Sequence, residues 1–305
     1  MTVRERISRS SFLLPVAILV SAAVWGVEGI GDTSVWVGYG LCLLMTYMLM
    51  ELNNRNALLR VRSRMVSTVF LLITTAMPFL HVADWYWLPS LCLIGSFFLL
   101  FGSYQKARPE GEVFHAFLLV AVGSLLLPPM LGLLPLFYVS MLFSLRSLTW
   151  RSFFAGLFGL ALPYIIYIGW RVYDGSTNEA VALFLSASPI LPRLSDWPLP
   201  KMVNAGFLLF QILLGLIHYY RTNFNDKIRV RMTYYTMELP LLAIVGAFPF
   251  FPQFTDAFFL LSLTTAAPFI GHYWALARGR GWMTAWFFLN TLLLISLGVA
   301  NYFYF

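Results

Sequence analysis

Val203-Asn204-Ala205-Gly206-Phe207-Leu208-Leu209-Phe210-Gln211-Ile212-Leu213-Leu214-Gly215-Leu216-Ile217-His218-Tyr219-Tyr220 is an apolar run. It gives way to Arg221-Thr222-Asn223-Phe224-Asn225-Asp226-Lys227-Ile228-Arg229-Val230-Arg231, and a second apolar run follows from Thr233 to Phe250. As a helix the first run would rise about 27 Å, close to the ~30 Å hydrocarbon core of a bilayer. The connector gathers Arg221, Lys227, Arg229 and Arg231. Lys and Arg are retained on the cytoplasmic side of helical membrane proteins, so this stretch reads as two crossings joined by an inner turn. The pattern extends in both directions. Apolar stretches occupy 11–28, 35–52, 65–82, 86–104, 113–128, 130–145, 152–173, 203–220, 233–250, 255–276 and 282–303. With connectors alternating from an inner start, 17 of the 20 Lys and Arg fall inside, and only Arg171, Arg193 and Lys201 fall outside. The expected fold is therefore all-α, a polytopic transmembrane bundle of about 11 spans, with the N-terminus cytoplasmic and the C-terminus outside. Strands are not expected, because barrel strands alternate and these segments are continuously apolar and too long.

Composition agrees. A mean hydropathy of +0.77 and a charged fraction of only 11% lie outside the soluble globular range. The net charge of +7 is divided among six short inner connectors without a basic stripe, so a nucleic-acid partner is not expected. Cys42 and Cys92 lie within apolar stretches and read as free thiols acting as small hydrophobes. Arg4, Arg6 and Arg9 precede the first stretch, and Ser21-Ala22-Ala23 resembles a cleavage region. The charge parity begins with that stretch, so an uncleaved first span is expected.

The segment 113–145 is long for one crossing and short for two. Lys106 and Arg108 precede it while Arg146 and Arg151 follow, so two short helices broken at Pro128-Pro129 keep both flanks inside. A re-entrant pair has the same signature. There is no linker or low-complexity segment to mark an appended soluble domain. The longest connector, Asp174 to Lys201, falls outside and carries Glu179, Arg193, Asp196 and an apolar stretch, Ala180–Ile190, suited to lying on the outer surface.

Asn54-Arg55-Asn56-Ala57-Leu58-Leu59-Arg60-Val61-Arg62 shares N-x-N-x-x-[LI]-R-V-R with Asn223–Arg231, at a separation of 169 residues. The same separation carries spans 2 to 5 onto spans 8 to 11, and Met77-Pro78-Phe79 close to Phe248-Pro249-Phe250. Both copies precede a span from inside, so the repeat is parallel. It predicts two halves, 1–148 (spans 1–6) and 149–305 (spans 7–11, with the outer loop 174–202), which would flank a central site.

Glu238, about two turns into span 9, is an ionisable group within an apolar helix and hence a candidate for binding or coupling. Asn54, Asn56, Arg60 and Arg62, with Asn223, Asn225, Arg229 and Arg231, are candidate substrate-binding residues, because guanidinium groups match phosphate oxygens. Positive-inside retention is the favoured account of the arginines, though it does not call for the repeated asparagines. His81, His115, His218 and His272 show no metal-ligand spacing, and no cofactor fingerprint is present, so neither metal nor cofactor is expected. His218-Tyr219-Tyr220 and His272-Tyr273-Trp274 read as interfacial belts.

Glu51-Leu52-Asn53-Asn54, continuing from Ala57 through Ser67, resembles an uncharacterised family of multi-pass inner-membrane proteins of Bacteroidota. The region Arg146–Tyr164, with Thr149-Trp150-Arg151, Gly159 and Pro163-Tyr164, is similar to the same group. The resemblance implies a bacterial inner-membrane location and no particular activity.

Three functions fit these features. The chain moves or flips an amphiphilic, anionic or lipid-linked substrate; or it is a membrane-embedded enzyme of lipid-linked glycan, with the 174–201 loop over its site; or it is a non-catalytic assembly subunit. The first is favoured. Membrane lipids are the expected partners, and the sequence names no protein partner.

Overall fold

Helix α1 (Val3–Arg9) meets α2 (Leu13–Glu28) at an 83° bend. The computed structural model describes residues 3–178, 182, 185, 188–190, 197–277, 279 and 281–304. Among these, every regular element is helical. α3 (Thr33–Asn56) begins where the Asp32 carboxylate accepts from the Ser34 amide at 2.8 Å, and ends at Ala57, which is left-handed with φ 49°. α4 (Met65–Thr75) stops short of Pro78 and is followed by a 3-10 turn, Pro78–Leu80. Then come α5 (Trp87–Gly102), α6 (Glu110–Leu126) and α7 (Leu133–Phe143), the last two separated by the 3-10 turn Pro128–Gly132 at the expected break.

α8 (Trp150–Tyr173) starts with a reciprocal capping box between Thr149 and Ser152. α9 (Leu199–Thr222) runs into the 3-10 turn Asn223–Asn225. α10 (Ile228–Ala247), α11 (Thr255–Leu276) and α12 (Gly281–Tyr304) complete the chain, and the 3-10 turn Phe248–Phe250 follows α10.

Each apolar stretch of the sequence thus corresponds to one α-helix, and α1 is an addition. Five helices, α3, α8, α9, α11 and α12, are long and apolar enough to cross a membrane, or six crossings if the bent α1–α2 pair counts as one. α8, at 24 residues, is about 36 Å long. These helices are compatible with an integral membrane protein. α4, α5 and the Pro128–Phe143 pair are apolar but shorter.

The described chain gathers into two compact units. The first comprises 1–84, 194–230 and 266–305; the second comprises 85–193 and 231–265. In the first, α4 is the core helix, with Phe70 and Leu71 fully buried, and it packs on α2 and α3. Close approach is allowed by Gly271, whose absent Cβ would meet the Val66 backbone, and by Gly215 against Phe269. In the second unit α6 packs on α5 and α8. There Gly159 faces the Phe114 carbonyl, Tyr164 and Ser124 share a hydrogen bond of 2.8 Å, and the Tyr138 hydroxyl donates to the Phe153 carbonyl at 2.9 Å. Before α6, Lys106 pairs with Glu112 and holds its carboxyl below the usual carboxylate range.

Candidate functional site

Proline 78 shapes the first unit chemically. Having no N–H, it cannot serve the Thr74 carbonyl, which takes the Met77 amide at 3.0 Å instead, and the Leu80 and His81 amides turn back to the Met77 and Pro78 carbonyls. Side chains reach the carbonyls just before this turn. Asn301 of α12 donates to the Ala76 carbonyl at 2.7 Å and exchanges hydrogen bonds of 2.9 and 3.0 Å with Asn204 of α9. The His81 ring lies 3.2 Å from the Thr75 carbonyl through Nε2 and 2.5 Å from Glu28 through Nδ1, stacked on Trp25 at 3.9 Å. Glu28 Oε1 is buried with no hydrogen-bond partner. Midway along the helices the Gln211 amide donates to Asn290, and its Oε1 is likewise buried and unpartnered.

Two cavities flank these groups. One, of about 300 Å³, is lined by Ile7, Leu13, Met65, Phe207, Gln211 and Asn290, among others. The other, of about 590 Å³, lies among Val20, Val24 and Glu28 of α2, Thr75 at the end of α4, Pro78 of the turn that follows, and Gly298 and Tyr302 of α12. Leu72 and Leu294 line both, so the two form one seam between α4 and α12. Its walls are almost wholly apolar. Val20, Val27, Ile295 and Val299 along it are more than half exposed or close to it, so the seam opens sideways rather than through the unit. Apolar walls of this kind match an apolar chain, and Gln211 and Glu28 are among the few polar residues that line them.

A charged cluster lies at the end of the unit opposite Glu28. Arg60 Nε is 2.8 Å from Asp226 Oδ1, an ion pair without hydrogen-bond alignment, and His272 Nε2 is 3.3 Å from Asp226 Oδ2. The Asp226 and His272 side chains are fully buried, while Arg60 keeps 29% exposure. His218 stands beside His272, with ring centroids 5.4 Å apart. One carboxylate thereby ties the α3–α4 connector to the end of α11. His272 is consequently a core residue rather than part of an interfacial belt. Nothing in the sequence spacing, 46 residues from Asp226, announces that pairing.

Of the residues singled out from the sequence, Asn54, Arg60 and Arg62 share a concavity of about 370 Å³ formed by the α3–α4 connector itself. Asn56 donates instead to the Leu52 carbonyl at 3.0 Å, and Asn225 to the Thr222 carbonyl at 3.3 Å. Asn223 is half-buried and engaged, Arg229 is exposed, and Arg231 is half-buried. Glu238 is buried in the second unit, 8% exposed, and has a partner. In the 174–201 connector the Ser176 hydroxyl donates to Asp174 at 3.4 Å, while Glu179, Arg193 and Asp196 lie outside the described residues, as do Arg278 and Arg280. Cys42 and Cys92 are free and buried. Among the described residues, no group of three or more His, Cys, Asp or Glu is placed to hold a metal.

Sequence reasoning missed the seam and the buried Asp226–His272 pair. A signal for the seam existed: Asn204, Gln211, Asn290 and Asn301 are amides within apolar helices, where polar side chains serve as interhelical links. Comparison with family models, with curated proteins and with solved structures finds no match to this chain.

Proposed function

We propose that this chain is a multi-pass protein of the bacterial inner membrane that binds an anionic or lipid-linked amphiphile and passes its head group along the α4–α12 seam, as a transporter or flippase does. The observation that carries this reading is the seam itself: two apolar cavities joined at Leu72 and Leu294, open sideways, with buried acceptors at Gln211 and Glu28. A chain bound there would stay in hydrocarbon while hydroxyl or amine donors of its head, rather than its anionic group, met those acceptors in turn, which lowers the cost of carrying polar groups through the bilayer.

The charge pattern supports about 11 crossings with the N-terminus in the cytoplasm and the C-terminus outside. The cluster around Arg60 then faces the cytoplasm, and Glu28 faces outward. Arg60, Arg62, Arg229 and Arg231, with their neighbouring asparagines, would meet acidic head groups of the inner leaflet. Glu238 serves this reading as a coupling group on α10.

In vesicles containing the reconstituted protein, transfer of a fluorescent phospholipid between leaflets should be several-fold faster than in protein-free vesicles. Leu72→Trp, which fills the seam, should abolish that gain. Unchanged transfer in a folded Leu72→Trp protein would overturn the seam as the route. Full activity of Glu238→Gln at normal expression would remove Glu238 from the coupling role alone.

A further inference from the structure

We propose that Arg4, Arg9 and Arg60 form a phosphate-binding site at the charged end of the first unit, a site absent from the arginines that the sequence pattern singles out together. Arg4 is the anchor. It lies on α1 and is 1% exposed. Its Nη2 donates to the Ala277 carbonyl, whereas Nε and Nη1 are buried and have no acceptor. Arginine stays charged in proteins, so a buried guanidinium with unmade N–H bonds is costly until an acceptor arrives. Burial already pulls the Arg4 pKa down, which is the mark of a cation short of compensation.

A cavity of about 160 Å³ adjoins it. Arg4, Arg9 and Arg60 line it, with Glu5 as the one acid, and residues 275–277 close its floor. That space equals roughly five waters at ~30 Å³ each, room for a phosphate group and its hydration. Three guanidinium groups stand against the carboxylates of Glu5 and of Asp226, the ion-pair partner of Arg60, which leaves a net positive charge at the cavity. Arg60 is already placed by its contact with buried Asp226, so its position is fixed before any anion binds. Guanidinium groups are the side chains best matched to phosphoryl oxygens.

The site also adjoins the seam. One turn beyond Arg4, Ile7 lines the apolar cavity of about 300 Å³ together with Leu13 and Trp274. α1 therefore offers cationic groups to one cavity and an apolar group to the next, matching a ligand with a phosphate head and an apolar tail. A phosphate ester of a lipid and free phosphate present the same oxygens; the choice of a lipid rests on the functional reading above.

The test uses the full chain in phosphatidylcholine nanodiscs. Thermal unfolding is followed with added inorganic phosphate, and separately with phosphatidic acid incorporated in the disc. Wild-type protein should be stabilised by several degrees by phosphatidic acid, with an apparent affinity at least tenfold weaker in Arg4→Gln. Arg9→Gln, at an exposed position, should weaken it similarly without altering the unliganded melt, which guards against a misfolded Arg4 variant. Protection by inorganic phosphate as well assigns the site to any phosphoryl anion, and protection by phosphatidic acid alone assigns it to a lipid head; both support the site. Protection by neither, or equal protection in both variants, overturns it. Leu72→Trp separates the two readings. If it removes lipid retention while phosphate still protects in an Arg4-dependent way, the site stands apart from the seam. Retention that depends on Leu72 but not on the arginines leaves the seam and removes the site.

Discussion

The connectors 54–64 and 223–232 start from one sequence pattern and fold differently. In the first, Ala57 turns left-handed with φ 49°, and the chain from Leu58 to Arg64 is non-helical. In the second, the corresponding residue Asp226 is extended, with φ −89° and ψ 152°, and α10 starts at Ile228, so that Arg229, Val230 and Arg231 are helical. The cause lies one residue outside the shared pattern. Asn53 accepts from the Leu59 amide and donates to the Ser63 carbonyl, both at 3.2 Å, and so folds its connector back on itself. The matching position is Thr222, whose hydroxyl returns to the His218 carbonyl of its own helix at 2.8 Å and makes no such bridge across its connector. Asp226, freed from the αL position that Ala57 takes, reaches across to Arg60. The lesson is that a repeated R-V-R does not repeat a binding site; the flanking Asn and Asp assign one copy to a turn and the other to an ion pair.

Disrupting that ion pair should have the largest effect. Asp226→Ala leaves His272 buried and Arg60 without its carboxylate, and should cost about 3 kcal/mol in unfolding measured in detergent. A melt like that of the wild type would mean that Asp226 does not hold the two connectors. Next comes Asn53→Ala, which strands a buried amide and a buried carbonyl and should cost about 2 kcal/mol. Thr222→Ala, its counterpart, should change stability by less than about 0.5 kcal/mol. Equal losses at the two positions would break the comparison. One effect has the opposite sign: Ala57→Gly relieves a left-handed alanine and should stabilise by about 1 kcal/mol. Destabilisation by that change would show that the Ala57 methyl group is needed at the turn.

Much of the helix layout was legible because apolar length and proline breaks are local signals. Pro128 opens a 3-10 turn where the sequence predicts a break, whereas Pro78 and Pro249 lie in 3-10 turns inside the expected stretches 65–82 and 233–250, which shorten their helices. α1 was missed because its seven residues carry Arg4, Glu5, Arg6 and Arg9 and read as a charged tail. The site was less legible for a different reason. Residues that line the seam and residues that face lipid are the same types, Val, Leu and Phe, so composition does not separate a cavity wall from an outer surface. Arg60 was picked out by its motif, yet its partner Asp226 occupies a variable position of that motif, and Arg4 and His272 become its neighbours only through folding. Glu238 was conspicuous as a charge in an apolar helix, and the structure buries it with a partner.

The most direct test of the seam as an amphiphile site is mass spectrometry of the protein extracted with its native lipids, wild type beside Leu72→Trp. The account predicts one amphiphile retained stoichiometrically by the wild type, bearing phosphate, and lost from the variant. Bulk phospholipid alone in both, or a stoichiometric protein partner in place of a lipid, would contradict it and leave the chain as an assembly subunit.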